Sequence, residues 1–223
     1  MANSAIQRAP YEVEFRCRFA TEEEAFRAIP FLKESLTHTV AWTDAYYGVD
    51  IFERGEVLRF SSVMKNDAVR FYLSWKGGDL GAFANLRQEW TEDVTAGVEH
   101  SEILATFANE DGPCARSEII AALEGAGLDY FMSYAGWSST GRYEPLGVNT
   151  KLMHCETLRH PPLVEFEKLA ATEDEAHRFE DDLLDLCRTY ALEANLVQEE
   201  PGTLLYEAVF GKRPRFLGVP GGN

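Results

Sequence analysis

The sequence predicts an α+β fold, with about eight β-strands and with helices after the first, the fifth and the last strand. The strands are predicted from segments in which apolar and charged residues alternate, and the helices from apolar residues at helical spacing with capping residues nearby. No repeat, low-complexity block or linker interrupts the 223 residues. We therefore expect one domain over residues 1–210, followed by a flexible C-terminal tail over residues 211–223.

The first predicted strand has one charged face and one apolar face. Its sequence, "YEVEFRCRF" at residues 11–19, alternates strictly between the two kinds of side chain. The charged face carries Glu12, Glu14, Arg16 and Arg18, and the apolar face carries Val13, Phe15, Cys17 and Phe19. This pattern is typical of a strand that packs on a core with one face and meets water or a polar cavity with the other.

Seven further segments of the chain are predicted to be strands. Alternation is clearest in "VRFYLSWK", and acids and bases share one face in "LRQEWTEDV" and in "LVEFEKL". The remaining strand segments are "VAWTDAYYGVDI", "EVLRFSSVMK", "LDYFMSYAGWSSTGRYEP" and "GVNTKLMHCETL". These segments, together with the first strand, give the predicted total.

Helices are predicted from their end signals. Thr21 and Glu24 have the spacing of a capping box, so a helix is expected from this point until Pro30 ends it. Two helices are expected after the fifth strand, over about residues 99–109 and 116–126, and a long acidic helix over about residues 172–195.

Composition excludes several classes of function. The formal net charge of −16 argues against a general nucleic-acid-binding protein, which needs a basic surface. No stretch reaches the roughly 20 apolar residues that cross a bilayer, and the first ten residues lack the apolar segment of a signal peptide. The four cysteines lack CxxC spacing and suit a reducing cytoplasm. We expect a cytoplasmic protein without nucleic-acid or membrane partners; its oligomeric state is left open, with a homodimer among the alternatives.

The charged strand faces allow two interpretations. An antiparallel sheet with one solvent-exposed face would give the same pattern, and for a single strand a solvent-exposed charged face is commoner than a functional one. The charged faces, however, mix acids with bases, and the opposite faces are bulky enough to pack against helices. A sheet of this kind can close into a barrel with a charged bore. Converging basic side chains would attract a polyanion, and paired carboxylates would hold Mg²⁺ or Mn²⁺, so the combination suits a metal-bound triphosphate.

Six segments of the chain resemble motifs that occur in a fixed order. "EVEFR" is similar to an ExExK motif, with Arg16 for the lysine, and "TDAYYGVDIFERGEVLRF" is similar to a "TDtYyD…aLRiR" segment that supplies Arg59. "YLSWKGG" resembles a "tlKgp" strand and supplies Lys76, whereas "LRQEWTEDV" resembles an "R.E.e..v" strand. "LVEFEKL" resembles "fvEiEk", and "TLLYEAVFG" resembles a closing "sYlelL" segment. Over residues 11–210 the chain thus resembles the CYTH superfamily, the triphosphate tunnel proteins that include class IV adenylyl cyclases and thiamine triphosphatases.

The resemblance implies an eight-stranded antiparallel β tunnel with helices packed outside, and it implies roles for individual residues. Residues expected to bind the triphosphate are Arg16, Arg18, Arg59, Lys76, Arg87 and Lys151. Residues expected to hold one or two Mg²⁺ or Mn²⁺ ions are Glu12, Glu14, Glu89, Glu165 and Glu167. Among these, Glu12, Glu14 and Lys76 are the expected catalytic residues. The implied activity is phosphoryl transfer on a nucleotide or other organic triphosphate, either hydrolysis or cyclisation.

Two segments depart from the pattern of this family. Ser138, Ser139 and Thr140 stand where the sixth strand carries a Lys-x-Arg pair, and Met153 or Cys155 stands where the seventh carries an aspartate. An alternative function is therefore a catalytically degenerate tunnel that binds a nucleotide or phosphorylated ligand without turnover. A third interpretation is an open sheet whose charged faces meet solvent.

Overall fold

The computed structural model describes residues 10–158 and 161–217. The strands are β1 (Tyr11–Arg18), β2 (Leu36–Tyr47), β3 (Val57–Lys65), β4 (Ala68–Lys76), β5 (Asn85–Asp93), β6 (Tyr130–Tyr143), β7 (Val148–Cys155), β8 (Leu163–Ala170) and β9 (Leu196–Val197). The helices are α1 (Glu22–Ala28), α2 (Leu32–Ser35), α3 (Val49–Phe52), α4 (Glu102–Phe107), α5 (Arg116–Gly125), α6 (Glu173–Thr189) and α7 (Pro201–Phe210). None of the described helices is both long enough and apolar enough to cross a membrane.

The sheet is antiparallel and closes on itself. Its strands follow the order β5-β4-β3-β2-β6-β7-β8-β1, and β1 also pairs with β5, which completes an eight-stranded barrel. The short strand β9 pairs with Arg16 and Cys17 at the end of β1 that β5 does not reach. The predicted fold class is confirmed, and the open-sheet interpretation is wrong because the charged strand faces enclose a bore.

Strand alternation decides which side chains face the bore. On β1, Glu12, Glu14 and Arg16 line the cavity inside the barrel, whereas Val13 and Phe15 lie in the outer hydrophobic core. This outer core joins β1, β8, α1, α2 and α6. A second outer core packs α4 and α5 on β3 and β4. The helices therefore cover the apolar outer face, and the polar faces of the strands are left to form the interior.

Helix ends follow the predicted capping signals in part. The Thr21 side chain accepts a hydrogen bond from Glu24 N, as the predicted capping box requires, but the Glu24 side chain accepts from Ala20 N, one residue before the cap, and not from Thr21 N. The acidic helix, predicted to continue to about residue 195, ends at Thr189 instead. Ala191 then has a positive φ of 52°, which an α-helix cannot accommodate.

The segment after α6 was not predicted in detail. It contains β9 and the helix α7, whose first residue is Pro201. Beyond α7, Lys212 Nζ donates to Glu53 Oε1 at 2.9 Å and Arg215 N donates to Glu53 Oε2 at 2.6 Å. These contacts attach residues 211–217 to the loop after α3. The domain boundary at residue 210 stays a prediction, and residues 1–9 and 218–223 lie outside the described part of the chain.

Candidate functional site

The main cavity lies inside the barrel and has a volume of about 510 Å³, which is within the range of roughly 300–1,000 Å³ typical of small-molecule sites. The predicted site residues that line it are Glu12, Glu14, Arg16, Arg59, Lys76, Glu89, Lys151, Glu165 and Glu167. Arg87 instead lines a second cavity of about 450 Å³. Arg18 lines neither of these two cavities, and its Nε and Nη2 atoms are buried without a hydrogen-bond partner among residues 10–158 and 161–217.

Strand register places opposite charges side by side in the bore. Arg16 on β1 is the register partner of Glu165 on β8, and Glu165 is also the partner of Lys151 on β7. Lys76 on β4 is likewise paired with Glu89 on β5. Directly opposed side chains in an antiparallel sheet lie close enough to interact, so register alone produces a row of ion pairs across the interior wall.

Arg16 connects three strands of the charged wall. Its Nε donates to Glu165 Oε1 at 2.8 Å, its Nη1 donates to Asn85 Oδ1 at 2.7 Å, and its Nη2 donates to Glu14. Only 3% of the side chain is exposed. The planar guanidinium is thus fixed in orientation by its partners, and a buried arginine with such partners keeps its charge.

Lys76 lies in the middle of a group of carboxylates. Its Nζ contacts Glu12 directly and lies 3.6 Å from Glu89 Oε2 and 3.9 Å from Glu14 Oε1. Burial by itself would lower the pKa of Lys76, but the three carboxylates outweigh it and raise the pKa well above its usual value. The ammonium group is therefore a fixed positive charge at the centre of the charged region.

Three carboxyl groups in this region have a pKa above the usual value for glutamate. Burial raises the pKa of Glu12 to about 7, and the nearby charge of Glu89 adds to the effect. Burial likewise raises the pKa of Glu14 to about 7 despite the opposing effect of Arg16. Glu167 also has a pKa of about 7, because of burial and the charges of Glu12 and Glu14. The bore therefore concentrates more acidic groups than its basic side chains can neutralise.

Glu165 and Glu200 behave in the opposite way. Burial disfavours ionisation of Glu165, but Lys151 and Arg16 outweigh it and hold its pKa well below the usual range. The pKa of Glu200 is lowered to about 2, because Arg87 and Arg16 outweigh the effect of burial. These two carboxylates are negatively charged at every physiological pH and act as partners of the basic side chains.

The carboxylates have the donor chemistry that a divalent cation needs. Among residues 10–158 and 161–217, no group of three or more His, Cys, Asp or Glu side chains is arranged to hold a metal ion. Glu12 and Glu14 instead contact Lys76 and Arg16. Their oxygen atoms, their burial and their raised pKa values nevertheless fit Mg²⁺ or Mn²⁺, since a cation would neutralise the same charge that a proton neutralises.

The opposite side of the main cavity is aromatic. Trp42, Tyr46 and Tyr134 line it, and the Trp42 and Tyr134 rings meet edge to face with centroids 5.0 Å apart. Gly136 makes room for the indole, since a Cβ atom there would lie 2.7 Å from Trp42 Cζ2. Trp42 Nε1 donates to Ser138 Oγ at 2.7 Å, so the ring is held by its polar edge while its carbon atoms face the cavity.

The sixth and seventh strands add little charge to the bore. Ser138 is fully buried and bonded to Trp42, whereas Arg142 is exposed and pairs with Glu144. Met153 lines the main cavity at the position where an aspartate was considered, and Lys151 supplies the basic group of this strand. Most of the charged side chains that line the cavity thus lie on β1, β4, β5 and β8, whereas most of its aromatic side chains lie on β2 and β6.

Sequence reasoning missed two acidic residues of the site. Asp44 lines the main cavity, and Arg59 Nη1 donates to its Oδ2 at 3.1 Å. The alternation of Trp42, Asp44 and Tyr46 along β2 is the signal that could have identified it. Glu200 lines both cavities. Its sequence context, Glu-Pro at the start of a helix, marks a helix start but gives no indication that the side chain enters a bore.

The closed antiparallel barrel with helices outside and a charged bore is the architecture of the CYTH triphosphate tunnel proteins, so the expected resemblance is confirmed at the level of the fold. No family model matches the sequence, and no curated protein matches it.

Solved structures do match the fold. The PH1819 protein from Pyrococcus horikoshii OT3 has a TM-score of 0.68 and 19% identity, covering 88% of this chain and 99% of that one. A candidate adenylate cyclase from Vibrio parahaemolyticus has a TM-score of 0.63 and 14% identity, with coverages of 88% and 98%. HpAC1 from Hippeastrum, a candidate adenylyl cyclase with a dominant triphosphatase activity, has a TM-score of 0.61 and 15% identity, with coverages of 89% and 96%.

Proposed function

We propose that this protein is a metal-dependent enzyme that acts on a nucleotide or other organic triphosphate inside the barrel. The observation that carries the proposal is the convergence of Arg16, Arg59, Lys76 and Lys151 with six glutamates in one cavity. A basic group in a partly desolvated bore attracts a polyanion far more strongly than one on a surface. Similarity of fold to HpAC1, which has a dominant triphosphatase activity, supports the same class of substrate.

The charged side of the cavity is the proposed site of chemistry. Glu12 and Glu14 would hold Mg²⁺ or Mn²⁺, with Glu89, Glu165 and Glu167 as further carboxylate ligands. A divalent cation in such a site neutralises charge that develops on phosphate oxygens during phosphoryl transfer. Lys76 would hold a phosphate oxygen close to these carboxylates, and Arg16, Arg59 and Lys151 would fix the rest of the phosphate chain. Positioning and neutralisation of charge are the main contributions a protein makes to this reaction.

The aromatic side of the cavity is the proposed site for the organic part of the substrate. Trp42 and Tyr134 offer flat apolar surface in the same cavity as the charged residues. A base or other aromatic ring gains about 1–3 kcal/mol from stacking on such side chains. Inorganic triphosphate would leave this side of the cavity unused.

Incubation of the purified protein with ATP, GTP, thiamine triphosphate and inorganic triphosphate, each with Mg²⁺ or Mn²⁺, tests the proposal. Release of phosphate, pyrophosphate or a cyclic nucleotide is expected for at least one organic triphosphate and is expected to disappear in the double variant Glu12→Ala/Glu14→Ala. Glu156→Ala is the matched control, because Glu156 is exposed on the turn after β7. Turnover that survives the double variant would rule out these carboxylates as the site.

Binding without turnover is the second candidate function. The observation that favours it is the weak charge on β6 and β7: Met153 lines the main cavity, and the buried Ser138 is bonded to Trp42. A ligand that binds only the folded protein raises its Tm. Stabilisation by a nucleoside triphosphate, with the ligand recovered unchanged after prolonged incubation with Mn²⁺, would establish this function in place of catalysis.

A further inference from the structure

The start of α7 forms one end of the main cavity. Glu200, Pro201 and Gly202 line this cavity together with the strands of the barrel. The helix approaches the wall very closely, since a Cβ atom on Gly202 would lie 2.7 Å from Tyr46 Oη. β9, which precedes α7 by a few residues, pairs with Arg16 and Cys17. The position of Glu200 is therefore fixed on one side by the pairing of β9 with β1 and on the other by the close approach of Gly202 to the Tyr46 side chain.

Glu200 lies between two buried arginines. Its Oε1 atom is 2.9 Å from Arg87 Nη1 and 3.8 Å from Arg16 Nη2. The arginine side chains are 7% and 3% exposed, respectively, and Glu200 is 16% exposed. Carboxylates and phosphates both accept charge-assisted hydrogen bonds from guanidinium groups, so a position that holds a carboxylate between two arginines also suits a phosphate group.

The pairing leaves hydrogen-bonding capacity unused. Within the described part of the chain, Arg87 Nε is buried without a hydrogen-bond partner, and Glu200 Oε1 lacks a hydrogen bond of good geometry in spite of its short distance from Arg87. A buried donor without a partner costs about 1–3 kcal/mol. A group with more oxygen atoms than a carboxylate would satisfy Arg87 better than Glu200 does.

Glu200 also separates the two cavities. It lines both of them, as does Val57. Beyond it, the second cavity is bordered by Arg54, Arg87 and Arg213. Withdrawal of the carboxylate would open a path from the charged side of the main cavity to these arginines.

We propose that Glu200 is an internal competitor of the ligand: its carboxylate occupies an anion subsite between Arg16 and Arg87, and a phosphate group of the ligand displaces it on binding. The inference rests on the proposed function. It adds an anion subsite, the residue that occupies this subsite in the ligand-free protein, and the loss of binding free energy that displacing that residue causes. The arginines tolerate the exchange, because Arg16 keeps Glu14 and Glu165 as partners and Arg87 Nη2 lies 3.8 Å from Asp79.

Replacement of the carboxylate by an amide of the same shape tests the inference. The Kd of inorganic triphosphate is measured by calorimetry for the wild type, Glu200→Gln and Glu199→Gln. Glu200→Gln is expected to bind about tenfold more tightly, because the phosphate chain no longer displaces a charged group from the arginines; tenfold corresponds to about 1.4 kcal/mol. Glu199→Gln is the matched control, since the half-buried Glu199 lies 3.7 Å from Arg213, whose side chain is exposed, and the Kd of this variant is expected to differ from that of the wild type by less than about twofold.

A second variant keeps the test valid if Glu200→Gln does not fold. Glu200→Asp keeps the charge but shortens the side chain by one methylene group, which weakens its hold on Arg87. Its Kd is expected to lie below that of the wild type. Unchanged or weaker binding in the variants would overturn the inference, and weaker binding would identify Glu200 as part of the binding machinery.

The same measurements separate this inference from the proposed function. Wild-type protein that binds and turns over a triphosphate, with no gain of affinity in the Glu200 variants, would leave the proposed function intact and refute the competitor. Absence of triphosphate binding in the wild type and in the Glu200 variants alike would refute both. Tighter binding in Glu200→Gln without turnover of any organic triphosphate would support the competitor and the binding-only function.

Discussion

Lys151 and Glu165 are register partners on neighbouring strands, and their side chains meet inside the bore with Lys151 Nζ 2.9 Å from Glu165 Oε2. Because Arg16 Nε donates to the other oxygen of Glu165, one carboxylate holds two basic groups in place. Lys151 thus supplies, from the seventh strand, a positive charge that the sixth strand lacks.

Replacement of Lys151 by methionine is expected to weaken the binding of inorganic triphosphate. The side chain is 38% exposed, so solvent screens part of its charge, and we expect a loss of about threefold to tenfold in affinity. Calorimetric titration measures it. Lys168→Met is the matched control, because Lys168 is on the outer face of β8, where it contacts Asp182 and Phe179. Equal losses in both variants would show that only net charge matters.

Ligand-free protein is expected to lose stability as the pH rises from about 5 to 7.5. Glu12, Glu14 and Glu167 have pKa values of about 7, above the usual value for glutamate, so the folded state binds more protons than the unfolded state in this range. The free energy of unfolding falls between the ordinary glutamate pKa of 4.5 and about 7, because over this range the unfolded state has already released protons that the folded state still holds. Glu165 and Glu200 have lowered pKa values and lose their contribution only in acid.

Thermal unfolding at about pH 5 and pH 7.5 measures this effect. The decrease in Tm is expected to be smaller in Glu12→Gln/Glu14→Gln, which cannot titrate at these positions, and unchanged in Glu156→Gln. Mn²⁺ is expected to raise the Tm more at about pH 7.5 than at pH 5, since a cation and a proton compete for the same oxygens. A Tm independent of pH in the wild type would show that these carboxylates are ionised throughout.

Trp42→Ala is expected to separate organic from inorganic substrates. Loss of the ring that lines the aromatic side of the cavity should reduce the affinity for ATP about tenfold, and the affinity for inorganic triphosphate should stay within about twofold. Trp137→Ala is the control: Trp137 stacks on His154 with centroids 3.8 Å apart and does not line the main cavity. Equal losses for both ligands would indicate that Trp42 supports the barrel and does not contact the ligand.

Glu180→Ala is expected to destabilise the protein. The Glu180 carboxylate on α6 accepts hydrogen bonds from three consecutive backbone N–H groups, those of Ala82, Phe83 and Ala84, at 2.8, 2.6 and 3.0 Å. Hydrogen bonds to a buried charged group are worth enough that we expect a loss of about 2–4 kcal/mol in the free energy of unfolding. Urea denaturation measures it. Glu180→Gln keeps an acceptor and is expected to lose about half as much; identical losses would show that only side-chain packing matters.

The sequence was most informative where strand alternation decides the outcome. Glu12, Glu14 and Arg16 face the bore because residues two apart in a strand point the same way, and the mixture of acids and bases on that face indicated a closed interior. The same alternation also predicted that Arg18 faces the bore, but Arg18 is not among the residues that line the main cavity. β1 ends at this residue, whose partner is Leu163, and the side chain lies beyond the cavity.

Other parts of the site depend on contacts that no local pattern encodes. Glu200 enters the bore because β9 pairs with β1 and because Gly202 allows α7 to approach Tyr46. The aromatic side depends on Gly136, which leaves room for Trp42, and on Ser138, which accepts its hydrogen bond. Each of these relationships joins segments far apart in the chain, and a single sequence gives no register between them.

Closure of the barrel by β1 has a consequence for the time course of folding. Arg16 and Glu165 are 149 residues apart. β1, the first strand of the barrel to be synthesised, therefore cannot pair along both edges until β8 has been synthesised. Contacts between such distant segments form slowly. Until α6 is synthesised, the apolar face of β1 lacks the helix that covers it, so this strand is exposed to aggregation in the nascent chain.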